Sequence, residues 1–175
     1  MRHLSWYYYN ALAGLLDAAM GMAIVAGSSW ALGRPVEPEW LAVGASMALL
    51  PDFDIVPNIL RGRVEDDHRA TWWHAPLVVI PIAMIIALAL GGAYWALVAA
   101  ACLFWHYAHD TFDGVRWFRP LSPYYWTYRG RHVRFAAKHD TWLNETWGQE
   151  SLRAWAELPL ALLLAVFAWV AVLAA

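Results

Sequence analysis

The sequence has 175 residues, of which 61% are hydrophobic and only 15% are charged. Soluble proteins average about 25% charged residues, so the composition indicates a membrane protein, and the length is that of one domain. The only cysteine, Cys102, excludes an intramolecular disulfide and a cysteine-based zinc cluster. The formal net charge of -2 excludes nothing further, because the charged residues are concentrated in a few segments.

Long apolar segments predict an all-α fold, a polytopic membrane protein with about five transmembrane helices in a single membrane domain over residues 1–175, since one crossing needs about 20 apolar residues. The first segment contains Asp17, which interrupts the apolar region that a signal peptide would need, so an uncleaved helix is predicted. The second segment ends at Pro51 and is short for a full crossing. Gly91 and Gly92 divide a long uncharged run into a hairpin of two helices. The predicted helices cover residues 8–32, 39–52, 75–90, 93–112 and 158–175.

The positive charges predict how these helices are oriented. Five crossings place the N-terminus and the loops 55–73 and 113–157 on one side of the membrane, together with eleven of the twelve Lys and Arg residues. Basic residues favour the cytoplasmic side, so we expect a multi-pass protein of the cell inner membrane with a cytoplasmic N-terminus. The basic residues are interleaved with acids, so no nucleic-acid partner is expected. The 113–157 loop is expected to carry an amphipathic helix over 135–156 on the membrane surface.

The fourth predicted helix ends in a polar face. Its four polar residues follow one another at i, i+3, i+4 and i+7, so a helix places them on one side: His106, His109, Asp110 and Asp113. A histidine and an aspartate at i, i+4 can share one metal ion or orient each other. The alternative interpretation is a hydrogen bond between His106 and Asp110 at the membrane interface.

Two further polar clusters are expected to return to the same side of the membrane. Asp52 and Asp54 follow the second helix, and two nearby carboxylates can bind a divalent ion, although they also suit a solvated acidic turn. His68, Arg69 and His74 precede the third helix. The imidazoles suit zinc and the guanidinium suits a phosphate oxygen, but the three residues could equally be ordinary loop and interface residues.

Three motifs therefore occur in this order along the chain: Pro51-Asp52-Phe53-Asp54, His68-Arg69 leading to His74, and His106-x3-Asp110. Their order and residue types resemble the LexA-binding, inner-membrane-associated hydrolases, also described as membrane-bound metal-dependent hydrolases. The resemblance covers about residues 38–123 and implies a small multi-helix membrane domain with a metal-dependent hydrolase site. That family looks distantly similar to zinc-dependent phospholipase C, which implies a phosphoester substrate. His68 and His74 lie six residues apart, one more than is usual in the family.

The residues and the resemblance together predict a metal-dependent hydrolase of a phosphoester or lipid-like substrate at the cytoplasmic interface, with membrane lipid or a small molecule as the partner. Zinc is the expected divalent metal, with manganese or magnesium as alternatives. Asp54 or Asp113 is expected to act as the general base and Arg69 to contact the phosphate. The predicted metal ligands are Asp52, Asp54, His68, His74, His106 and Asp110.

Other interpretations of the polar residues remain open at this stage. The same acidic and histidine face, together with Asp17, could line a path for metal ions or protons, because ionisable residues inside membrane helices usually mark function. A simple helix–helix hydrogen bond is the alternative for Asp17. Pairs of histidines could bind haem in a redox protein. The chain could also be a catalytically idle metal-binding membrane protein that kept the scaffold.

Overall fold

A computed structural model describes residues 2–60, 71–112, 114–128 and 147–174. These residues form five long α-helices and one short one, and their only strand-like pairing is an isolated bridge between Val115 and Trp126. The predicted all-α fold class is therefore confirmed. The helices are α1 (Arg2–Ala31), α2 (Pro38–Leu49), α3 (Ile55–Leu60), α4 (Pro76–Gly91), α5 (Ala93–Asp110) and α6 (Trp147–Leu173).

Among the described residues, three helical stretches are long and apolar enough to cross a membrane: Ala11–Ala31, Pro38–Pro57 and Ala156–Leu173. The second stretch continues from α2 through a 3-10 turn into α3, so it is longer than the segment 39–52 that the sequence predicts. The hairpin helices fall outside this set, since α4 has only 16 residues and α5 ends in polar side chains. Five complete crossings therefore stay a prediction.

The last helix begins earlier than the sequence predicts. It starts at Trp147 and continues through Pro159, whereas the sequence suggests a surface helix followed by a separate crossing from residue 158. The sequence boundary falls at Glu157 because that residue is charged, but Glu157 is buried in the fold. Proline removes one helical hydrogen bond and commonly kinks a helix without ending it. The rest of the predicted surface helix, before Trp147, lies outside the described residues.

The chain folds as two compact units. The first unit comprises Met1–Ser46 and Ala137–Ala175, and within its described part α1 packs along α6. Gly44 of α2 lies directly on the backbone oxygen of Gly21 in α1, where a side chain would collide with that carbonyl. Small residues of this kind allow close approach of apolar helices. Asp17 is fully buried in this unit.

The second unit comprises Met47–Ala136, and its described part is built around the α4–α5 hairpin. Gly92 connects the two helices with φ +82°, a backbone conformation that L side chains rarely adopt. Near the turn the helices meet through small side chains, Ala87 against Ala96 and Ala99. Because the hairpin is antiparallel, the start of α4 and the end of α5 lie at the same level. The candidate site is built at that level.

Candidate metal centre

Three local structures each present polar side chains to this level of the second unit. The 3-10 turn Leu50–Asp54 has Pro51 in its first turn, where the missing N–H has no cost, and it carries Asp52 and Asp54. A second 3-10 turn, Trp72–His74, ends with a fully buried imidazole immediately before α4 begins. The last two turns of α5 contribute His106 and Asp110 from one helix face, as the i, i+4 spacing predicts.

Four of these side chains converge on one point: Asp52, His74, His106 and Asp110. One ligand atom from each lies within 4.8 Å of the other three. The Nε2 atom of His74 is 3.4 Å from Oδ2 of Asp110 and 3.7 Å from Oδ1 of Asp52. The Nε2 atom of His106 is 3.4 Å and 3.6 Å from the same two oxygens.

These four distances distinguish a metal site from a set of hydrogen bonds. A hydrogen bond between imidazole and carboxylate is about 2.7–2.9 Å long, so 3.4–3.7 Å is too long for one. Ligand atoms about 2.0–2.1 Å from a tetrahedral zinc ion lie about 3.3 Å from one another. The four side chains therefore fit around one divalent ion, and the interfacial hydrogen bond between His106 and Asp110 is the poorer explanation of the geometry.

Burial makes this arrangement costly without a cation. Both imidazole side chains are fully buried, and the exposures of the two carboxylate side chains are only 25% for Asp52 and 12% for Asp110. Burying carboxylates side by side is unfavourable unless a positive charge compensates them. The exposure of Asp52 also identifies the side on which the site opens. The structure thus contains a buried group of Asp and His side chains that could bind a metal ion.

Asp54 occupies a different place from the other four residues. Its Oδ2 atom is 3.4 Å from Nδ1 of His74, on the side of the imidazole ring opposite Nε2. The same oxygen accepts a hydrogen bond from the hydroxyl of Thr71. Asp54 therefore faces the second ring nitrogen of a ligand-type histidine. Carboxylates in this position commonly fix the ring and its tautomer in metal sites.

The turn that carries His74 is tied to the rest of the unit by backbone contacts. The hydroxyl of Tyr107 in α5 donates a hydrogen bond of 2.6 Å to the carbonyl oxygen of Trp73. The guanidinium of Arg119 donates one of 3.0 Å to the carbonyl oxygen of Thr71 and lies 3.9 Å above the ring of Trp72. Three consecutive residues before His74 are thus held from two separate elements, which fixes the position of the imidazole.

The charge environment of His74 favours a cation at its position. Burial lowers the pKa of His74, but the carboxylates of Asp110, Asp52 and Asp54 outweigh this effect and raise the pKa from 6.5 to about 10. A proton on the imidazole then balances part of the negative charge. Since a metal ion would supply the same balance, protons and metal compete for this position.

The structure does not bring every predicted site residue into this group. His68, Arg69 and Asp113 lie outside the described residues, so their roles stay predictions. His109 is buried on the same helix as His106, but its ring stacks on Trp105 at 6.1 Å between centroids. Asp17 belongs to the other compact unit.

Sequence patterns contain no indication of the residues that hold the His74 turn. Tyr107 lies within the polar end of α5, yet its partner Trp73 is 34 residues away. Thr71 and Arg119 are separated by 48 residues. Contacts across such distances follow from the tertiary fold and have no local signature.

Comparison with known proteins agrees with a membrane protein. No curated protein and no solved structure matches the sequence. A family of inner membrane proteins does match, over nearly the whole chain, which supports the predicted localisation at the level of the inner membrane. Residues 13–175 match the YdjM inner membrane protein family, and the chain therefore belongs to that family.

Proposed function

We propose that the protein is a membrane-embedded, metal-dependent hydrolase that acts on a phosphoester or lipid-like substrate at the cytoplasmic interface. The observation that carries this proposal is the convergence of Asp52, His74, His106 and Asp110 at distances typical of ligands around one ion. Two imidazole nitrogens and two carboxylate oxygens suit zinc, with manganese as the next choice.

A bound divalent ion would supply an activated water and polarise the phosphoryl group, for which it would need a coordination position beyond the four protein donors. The protein's own part is to hold four donors in place and to leave one side open. Asp52 is the most exposed of the four, so the carboxylate oxygen that does not bind the ion would accept a proton on the open side. Asp113, which the sequence predicts as the base in alternative to Asp54, comes three residues after the end of α5.

Asp54 has a supporting role in this proposal. Because its Oδ2 atom lies 3.4 Å from Nδ1 of His74, its negative charge favours a proton on that nitrogen and leaves Nε2 as the donor to metal. The hydrogen bond from Thr71 keeps the carboxylate in this orientation. This assignment replaces the expectation from the sequence that Asp54 is itself a ligand or the general base.

The surroundings of the site favour a substrate at the membrane surface. Large apolar side chains are exposed beside the ligand-bearing turns, with Phe53 next to Asp52 and Trp72 and Trp73 next to His74. Aromatic residues of this kind concentrate at the headgroup level of a bilayer. A substrate with an apolar part and a phosphate group would meet both the aromatic surface and the metal site.

The experiment that tests the proposal is elemental analysis of detergent-purified protein, beside a His106→Ala/Asp110→Ala variant. We expect about one equivalent of zinc or manganese in the wild type and less than about a tenth of that in the variant. A matched control, His109→Ala/Glu39→Ala, removes the same two chemical groups outside the four residues and should keep its metal. Equal metal content in all three proteins would contradict the metal site.

Hydrolysis is tested separately with the metal-loaded protein. Initial rates on p-nitrophenyl phosphate and bis(p-nitrophenyl) phosphate, in detergent and in lipid nanodiscs, should exceed those of the double variant by at least about a hundredfold, since removing a ligated ion removes its whole contribution to the barrier. Metal binding without any hydrolysis above the variant would contradict the enzyme and leave a metal-binding membrane protein.

A further inference from the structure

A pair of arginines follows α5 in the second unit. The segment after Gly114 folds back on itself through the bridge between Val115 and Trp126. Within it the N–H of Arg119 donates a hydrogen bond of 3.1 Å to the carbonyl oxygen of Arg116. A turn closed in this way brings the backbones of its first and fourth residues within about 7 Å, so the two arginines start from neighbouring points.

Aromatic rings fix the direction of both side chains. The guanidinium of Arg116 lies 4.5 Å from the ring centre of Tyr125, and that of Arg119 lies 3.9 Å from the ring centre of Trp72. Stacking uses the flat face of a guanidinium, so its N–H donors point outward in the guanidinium plane, and one of those of Arg119 donates to the carbonyl oxygen of Thr71. In the described part of the chain, the buried Nε atom of Arg116 makes no hydrogen bond.

The two positive charges act on each other. The guanidinium of Arg119 has its pKa lowered by burial and further by the charge of Arg116. Like charges that act on each other are unfavourable, and an anion bound by both guanidinium groups would offset the cost. Guanidinium groups bind phosphate oxygens especially well because their N–H donors match the geometry of that group.

A continuous set of contacts connects Arg119 to the metal centre. Arg119 donates to the carbonyl of Thr71, whose hydroxyl donates to Asp54. Asp54 in turn faces the ring of His74, a member of the four-residue group. Arg119 therefore lies beside the turn that presents His74, and Arg116 precedes it by three residues.

We propose that Arg116 and Arg119 form an anion subsite that binds the phosphate group of a phosphate ester next to the metal centre. The catalytic role of this subsite rests on the proposed function, whereas its ability to bind phosphate does not. Arg69, for which the sequence predicts a phosphate contact, lies outside the described residues. The arginine pair would make the same kind of contact from another segment.

The test measures phosphate binding by the full-length protein in nanodiscs of neutral lipid, with and without added zinc. Isothermal titration with inorganic phosphate should give an affinity that falls about tenfold or more in Arg116→Gln, since a hydrogen bond between charged groups is lost. Arg116→Lys should retain part of the affinity because it keeps the charge. The matched control is Arg34→Gln, which removes another arginine stacked on an aromatic ring, 5.4 Å from that of Trp40 in the first unit, and it should not change phosphate affinity.

A second arm distinguishes a lipid headgroup from free phosphate. Nanodiscs that contain phosphatidic acid should inhibit binding of inorganic phosphate to the wild type if the subsite accepts the headgroup. No inhibition, together with the Arg116 effect, would assign the subsite to water-soluble phosphate esters. Either result supports the subsite and selects its ligand.

Metal content of each variant keeps the two proposals separate. Arg116→Gln should retain the metal of the wild type, because the guanidinium of Arg116 stacks on Tyr125, which is not one of the four metal-site residues. Loss of phosphate affinity in a protein that binds no metal would support the subsite and contradict the metal-dependent function. Equal phosphate affinity in the wild type and Arg116→Gln, or equal losses in Arg116→Gln and Arg34→Gln, would overturn the subsite whatever the metal content.

Discussion

Each of the two compact units of this protein is stabilised internally by a different kind of contact. In the first unit, the described parts of α1 and α6 contain long apolar stretches, and Gly44 of α2 lets two backbones approach until they touch. In the second unit, directional hydrogen bonds to backbone oxygens hold the His74 turn beside α5. Shape is therefore sufficient to pack helices, whereas a group of four donors requires contacts that fix individual atoms. Variants should therefore affect helix packing or the metal site, according to the unit they change.

The largest expected effect of this kind is the pH dependence of metal binding in the second unit. His74 has a folded-state pKa of about 10 against a reference value of 6.5. Below pH 10 a metal ion must displace a proton from this imidazole, so affinity should rise about tenfold per pH unit, or about a hundredfold from pH 6.5 to 8.5. Titration with zinc against a competing chelator measures this slope.

For the metal-free protein, the same raised pKa of His74 predicts a folding stability that decreases as the pH rises. A raised histidine pKa stabilises the fold fully below pH 6.5, and this stabilisation is lost as the pH rises through about 10. Chemical denaturation of the apo-protein should therefore show decreasing stability between these values. Metal affinity that is independent of pH, with no proton release in buffers of different ionisation enthalpy, would contradict the competition between proton and metal.

Asp54→Asn sharpens the distinction between a ligand and a residue that orients one. The amide keeps the shape of the carboxylate and can still accept the hydroxyl of Thr71, but it no longer carries the charge that faces Nδ1 of His74. We expect metal affinity to fall about 10–100-fold with the stoichiometry unchanged, as is typical of outer contacts to metal-bound histidines. Complete loss of metal would instead make Asp54 a ligand, and Glu39→Gln serves as the charge-matched control.

Gly44→Ala tests the apolar packing of the first unit. The new methyl group would collide with the backbone oxygen of Gly21 and with the side chain of Val25, so the helices must separate. Overpacking of this kind costs about 1–3 kcal/mol in the free energy of unfolding. Gly27→Ala is the control, because its methyl group would have nothing within 4 Å. Thermal unfolding in detergent should separate the two variants, while metal content per folded molecule stays equal.

Sequence reasoning succeeded where the information was local. The i, i+4 spacing of His106 and Asp110 and the glycines before α5 depend only on helix periodicity and turn chemistry, and the structure has both features. Which ring nitrogen of His74 each aspartate faces was not predictable, because it depends on how two turns pack on a distant helix. The start of α6 was missed for a similar reason, since burial of Glu157 is a property of the fold.

The smallest expected effect comes from Tyr107→Phe, which removes one hydrogen bond from the His74 turn and leaves the packing of the ring. The carbonyl of Trp73 then loses its donor at 2.6 Å, which should cost about 1 kcal/mol of stability and a few-fold in metal affinity. Tyr128→Phe removes a bond of 2.8 Å to the carbonyl of Ala108 on the same helix, but away from the turn. If the turn positions the imidazole, only Tyr107→Phe should weaken metal binding at comparable loss of stability. Equal metal affinities would show that the packed ring alone holds His74 in place, and the hydrogen bonds would then serve stability only.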